Sequence, residues 1–219
     1  MRLAHATWVP SGDGPHPTIF ALHGFGSNAF DLLGLAPHLL GGRALVIAPQ
    51  GPEDVALDVP GGARVMGHGW FPLTLTSPPT PLAVAQAIMA AREFVEQASD
   101  RYPIDRGRTV ALGFSQGGVI AYALALADPQ RFRALVALSS WLPDDLARGL
   151  PSADRSRLAA WVQHGTRDEV ITAGRGRDSV AKLGELGVQQ VAHREYDMAH
   201  EVSAESLTDL DAWLRAQLG

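Results

Sequence analysis

The sequence predicts an α/β fold, a mostly parallel central sheet with helices on both faces, and three observations carry that expectation. Short apolar runs alternate with helix-period patterns almost from end to end, the signature of successive βαβ units. Two of the runs, "ALVIA" and "ALVAL", are continuously apolar, as strands covered on both faces must be. The 219 residues, 46% hydrophobic and 19% charged, suit one sizeable domain spanning 1–219 and exclude general disorder.

In chain order, "TIFALHG" reads as the first strand and 29–40 as a helix. The strand "ALVIAPQ" and a helix over 82–97 come next. "TVALGF" leads into a helix over 119–127, and "ALVALSS" and "LAAWVQHG" are the following strands. A helical stretch near 179–186, the strand "VAHREY" and a last helix over 204–217 complete the order. Two stretches break the alternation and read as loops. One is 50–81, with "PGGARVMGHGWFPLTLTSPPTP"; the other is 140–157, with "WLPDDLARGLPSADR". Each follows the carboxyl end of a predicted strand, where open α/β sheets bind ligands, and each carries aromatic side chains.

Composition narrows the function classes. The net charge is −5 and the basic residues are scattered, so the stripe of a nucleic-acid binder is missing. There are no cysteines, which excludes disulfides, thiolate metal sites and a cysteine nucleophile. No H-E-x-x-H or similar ligand spacing occurs, and no metal site is expected. The amino terminus has no apolar core of signal-peptide length and no segment suits a membrane span, so a cytoplasmic protein without stable membrane insertion is expected.

The chemistry is sought at Ser115. In "VALGFSQGGVIAYALALA" the apolar rhythm changes from strand to helix on this residue, and Gly113-Phe114-Ser115-Gln116-Gly117 fits G-x-S-x-G, the turn that exposes a nucleophilic serine. A plain helix N-cap is the competing role for such a serine. A hydroxyl needs a base, and of eight histidines His200, between "VAHREY" and the last helix, is placed best. Asp168, in the turn after "WVQHG", is placed to orient that histidine, with Glu169 its adjacent competitor. The order Ser115, Asp168, His200 is that of the α/β-hydrolases. Backbone N–H groups of Gln116, which opens a helix, and of Phe25, in "LHGFGSN" after the first strand, are the expected oxyanion donors. Trp70, Phe71, Trp141 and Leu142, with Phe25, are candidates for an apolar acyl pocket, although each could equally be a core residue.

The motifs "LHGFGSN", "APQGP", "WF" at 70–71, "GFSQGG", "HGTRDEVI" and "AHEVS" occur in an order that resembles the phospholipase/carboxylesterase family of α/β-hydrolases, which includes small bacterial carboxylesterases and acyl-protein thioesterases. The resemblance implies the same triad and oxyanion residues, no large cap domain and no cofactor. It also implies action on carboxylic or thioester acyl groups, with lysophospholipids cleaved by some members. Three positions depart from the family pattern. Ser27 replaces a frequent acidic residue, Thr172 a frequent proline, and Ala199 the glycine that commonly precedes the histidine. None of these removes a reacting group.

The expected function is therefore a serine carboxylesterase working through an acyl-enzyme on small-molecule esters of short to medium acyl chain. Homodimerisation is left open. A thioesterase or lysophospholipase with the same triad is the alternative, and a non-catalytic binding protein on the same fold is a third reading. That third reading predicts a missing triad member, whereas this chain has all three in order.

Overall fold

The computed structural model describes residues 2–58, 62–73 and 79–218. Seven strands form one sheet: β1 (His5–Trp8), β2 (His16–Leu22), β3 (Leu45–Pro49), β6 (Ile104–Phe114), β7 (Ala134–Leu138), β8 (Ala159–Gly165) and β9 (Gln190–Tyr196). Their order is β1-β3-β2-β6-β7-β8-β9. Only the edge strand β1 runs antiparallel to its neighbour; the other pairings are parallel. Two strands stand apart from it as an antiparallel hairpin, β4 (Glu53–Asp58) and β5 (Arg64–Gly69).

The period-two geometry of a strand feeds both faces of the sheet. Along β2, Phe20 and Leu22 enter a core shared with α1 (Pro81–Arg101), α2 (Gln116–Ala127) and α4 (Ala173–Glu185). Ile19 and Ala21 enter the opposite core, closed by α5 (Ala204–Leu218) and two short 3-10 helices. All four side chains are at most 1% exposed, and full burial of an Ile, Leu or Phe is worth roughly 1.5–3 kcal/mol. Local signals agree with this packing. Thr80 Oγ1 accepts from Ala83 N–H at the start of α1, and Pro81 takes the first helical position, where its missing donor costs nothing. Helix α2 is buried from Gln116 to Leu126, which fits its apolar sequence. Among the described residues, no helix is long and apolar enough to cross a membrane.

Four expectations are corrected. "TIFALHG" is not the first strand, because β1 pairs antiparallel with β3 at the sheet edge before it. The helix expected over 29–40 is instead a pair of 3-10 helices, Leu32–Leu35 and Leu39–Gly42. Pro37 interrupts the hydrogen-bond ladder, and Leu40 and Gly41 adopt positive φ (52° and 62°), so the leucine periodicity is used by two short turns. Within 50–81, expected to be structureless, lies the β4–β5 hairpin; residues 59–61 and 74–78 of that stretch are outside the described ones. The hairpin is joined to the loop after β2, since Gly26 N–H donates to His68 O (2.8 Å) and His68 N–H to Ser27 O (2.7 Å). Within 140–157, α3 (Asp144–Gly149) forms a short helix that begins directly after Pro143.

Candidate active site

Apart from "WF" at 70–71, which follows β5 of the hairpin, every motif singled out in the sequence follows the carboxyl end of a parallel strand, the edge at which such sheets bind ligands. Ser115 immediately follows β6, the central strand. Its backbone is at φ 52°, ψ −118°, a conformation that costs a non-glycine residue of order 1–3 kcal/mol. Three hydrogen bonds hold it there: Ser115 N–H donates to Leu138 O (2.9 Å), while its carbonyl accepts from Ser140 Oγ (2.7 Å) and Gly118 N–H (3.0 Å). The hydroxyl makes no capping bond to α2, so the N-cap role is absent and the oxygen is left for other chemistry. Gly117 is required by close approach, because a Cβ there would overlap the Leu22 carbonyl oxygen at the end of β2.

Asp168 and His200 come together from the ends of β8 and β9. His200 Nδ1–H donates to Asp168 Oδ2 at 2.7 Å, and the carboxylate side chain is fully buried. The other carboxylate oxygen, Oδ1, accepts from Val170 N–H (2.9 Å) and Ile171 N–H (2.8 Å), so the group is fixed in its turn. The bond to Nδ1 puts the proton on that nitrogen and leaves the Nε2 lone pair free to accept one. The His200 ring packs against Phe114, the residue before Ser115, with ring centroids 4.8 Å apart. Glu169 is exposed and is not drawn into this group. Beneath Asp168 lies a second, wholly buried imidazole: His164 Nε2–H donates to Ile171 O (2.6 Å), and burial lowers its pKa.

The loop after β2 brings Phe25 beside the elbow. Gly24 packs so closely that a Cβ there would stand 3.1 Å from the Phe114 ring and 3.5 Å from Ser115 Cβ. Neither Phe25 N–H nor Gln116 N–H donates to a protein acceptor among the described residues, which suits donors reserved for a ligand oxygen.

The candidate pocket residues divide into two groups. Trp70, Phe71 and Leu142 are each 1% exposed and belong to the core. Trp141 is half-buried and lies under the Arg175 guanidinium, 5.4 Å from its ring centroid, at a cavity of about 300 Å³ that Lys182 and Asp144 also line. Sequence reasoning missed the polar bonds that fix these segments. Gln116 Oε1 accepts from Trp70 N–H (2.8 Å) and Gln116 Nε2 donates to Phe71 O (2.7 Å), while Leu142 N–H donates to Ser179 Oγ (2.8 Å). The one local signal was a glutamine next to Ser115 at the start of an apolar helix.

Comparison with known proteins bears on the family and the fold. An acyl-protein thioesterase 1 from Gibberella zeae is 33% identical over 115 residues, which span 51% of this chain and 48% of that one. An acyl-protein thioesterase 1 from Mycosarcoma maydis is 27% identical over 93% of this chain and 92% of its own length. In structure, a carboxylesterase from Bacillus cereus superposes with a TM-score of 0.80 at 21% identity, covering 99% of this chain and 95% of that one. The phospholipase/carboxylesterase family matches residues 3–218, so the chain belongs to that family, a group of α/β-hydrolases of esterase and thioesterase type.

Proposed function

We propose that the chain is a single-domain serine hydrolase that cleaves carboxylic esters, with Ser115 as nucleophile, His200 as general base and Asp168 as the group that orients it. The observation that carries this reading is the 2.7 Å bond from His200 Nδ1 to Asp168, made by a ring that packs on Phe114, the residue before a serine on a strained strand-to-helix turn. Nε2 of His200 takes the Ser115 proton as Oγ attacks the ester carbonyl, and returns it to the leaving alcohol. The same nitrogen then activates water to release the acid from the acyl-enzyme. Phe25 and Gln116 N–H groups stabilise the oxyanion, a contribution on the order of 10²–10³-fold per donor in related chemistry. No cofactor enters this sequence of steps.

The acyl chain is read as short to medium, because Trp70, Phe71 and Leu142, with Trp141 the candidates for its pocket, are packed into the core and offer little open apolar surface. The burial of three of these and the Arg175 side chain over the fourth leave limited apolar room. Thioester cleavage by the same triad is the second reading, favoured by the thioesterase relative that aligns over 93% of this chain. The test is hydrolysis of p-nitrophenyl esters from acetate to palmitate by wild type and Ser115→Ala, beside matched thioester and lysophospholipid substrates. Activity that peaks between butyrate and octanoate and disappears in Ser115→Ala is expected. Activity retained by Ser115→Ala refutes the nucleophile, and faster turnover of palmitate refutes the chain-length reading.

A further inference from the structure

The His23 ring is buried, and both of its nitrogens are committed. Nε2 stands 2.9 Å from Gly51 N–H, a donor, so this nitrogen must carry the lone pair. The proton is therefore on Nδ1, which donates to Gly24 O at 2.7 Å. Burial lowers the pKa of this ring, consistent with a neutral imidazole kept in one tautomer. Its own backbone is fixed as well: Trp70 Nε1–H donates to His23 O at 2.9 Å, and Trp70 N–H is held in turn by the Gln116 side chain. The chain of bonds thus runs from the elbow through Trp70 to His23 and ends on the Gly24 carbonyl.

A trans peptide is planar, and its C=O and N–H point to opposite sides. The carbonyl held by His23 and the N–H of Phe25 belong to one peptide unit, so fixing the first sets the direction of the second. We propose that His23 is a positioning residue of the oxyanion hole: its Nδ1–H, kept on that nitrogen by Gly51, locks the Gly24–Phe25 peptide, and the Gln116 and Trp70 side chains tie the preceding His23–Gly24 peptide to the nucleophile's turn. This inference rests on the serine-esterase reading. It adds a residue that touches neither substrate nor Ser115 Oγ, yet sets how well one donor meets the developing negative charge.

Two measurements test it. In the wild type, long-range proton–nitrogen NMR of the imidazoles is expected to show His23 neutral and protonated on Nδ1; an Nε2–H tautomer overturns the proposal without any variant. His23→Asn retains a donor near the Nδ1 position, whereas His23→Gln can reach Gly51 but leaves Gly24 O without its donor. Turnover is counted per Ser115 titrated by a fluorophosphonate, and affinity is measured for an alkylboronic acid that binds as a tetrahedral adduct. His23→Gln is expected to lose kcat on the order of 10²-fold with KM little changed and to weaken boronate binding in parallel, while His23→Asn stays within about tenfold of wild type. Unchanged turnover per titrated site in both variants, or equal losses in both, overturns the inference. Ser115→Ala separates the two levels: if it remains active the serine-esterase reading fails, and if it is inactive while His23→Gln turns over normally, only the role of His23 fails.

Discussion

Replacing Asp168 by asparagine exchanges one oxygen for an NH2 group, yet it should cost about four orders of magnitude in turnover. Asp168 Oδ1 accepts two backbone N–H groups, at 2.9 and 2.8 Å, and Oδ2 accepts His200 Nδ1–H at 2.7 Å. An asparagine must keep its oxygen on the two backbone donors, because the flipped amide would set its NH2 against both of them. The NH2 then faces His200 Nδ1 and donates to it, which moves the imidazole proton to Nε2. In that tautomer the nitrogen meant to accept the Ser115 proton already holds one. Loss of about 10⁴-fold in kcat is expected, the size seen where a triad aspartate is so replaced, or about 5.4 kcal/mol of transition-state stabilisation at 1.36 kcal/mol per decade. Stability should change little, since all three hydrogen bonds persist with altered polarity. The assay is kcat on p-nitrophenyl butyrate together with a urea midpoint, with Glu169→Gln as the exposed neighbour control. If Asp168→Asn keeps more than a tenth of wild-type kcat, the tautomer argument is wrong.

Other outcomes follow from the same geometry. Ser115→Gly removes the hydroxyl but relieves a residue at φ 52°; turnover should vanish while stability rises by about 1 kcal/mol in chemical denaturation, and a loss of stability would show that the turn is unstrained. Gly117→Ala drives a Cβ into the Leu22 carbonyl and should cost more than about 3 kcal/mol, so a urea midpoint close to wild type would contradict the close approach. His23 and His164 have pKa values lowered by burial from the ordinary 6.5. Below about pH 6.5 the unfolded rings take up protons that the folded ones refuse. Stability should therefore fall as pH drops from there, by up to about 1.4 kcal/mol per pH unit for each ring, and level off once the folded rings also titrate. Urea midpoints at several pH values check this, and a midpoint that is flat or rises through the acid range would contradict it.

The central strands were legible because burial on both faces leaves a continuous apolar run, and β3, β7 and β8 lie within the runs that announce them. The elbow was legible because G-x-S-x-G couples a local backbone demand to a change of period. The hairpin was not. "EDVALD" and "RVMGHG" are mostly exposed, sit among prolines and glycines, and are held by pairing with each other and with the 24–28 loop. Nor was the second half of 29–40, where leucine spacing suggests a helix but Pro37 and the Gly41–Gly42 pair dictate turns. The bonds of His23 reach Gly51 and Trp70, 28 and 47 positions away, so no local pattern could announce them. Asp168 and His200 were singled out by chain order, whereas their 2.7 Å contact is a property of the folded sheet edge.

The bridge between His68 and the 26–27 backbone bears on how substrate reaches the serine. Since the hairpin is bridged to the stretch beside Phe25, swinging the hairpin outward would break that bridge or carry the Phe25 amide with it. An open doorway on that side and the proposed oxyanion hole are thus alternatives, and traffic through it would suspend the proposed chemistry. Covalently stapling the hairpin to the 24–28 loop should accordingly leave turnover intact, as it would in a wall and would not in a gate.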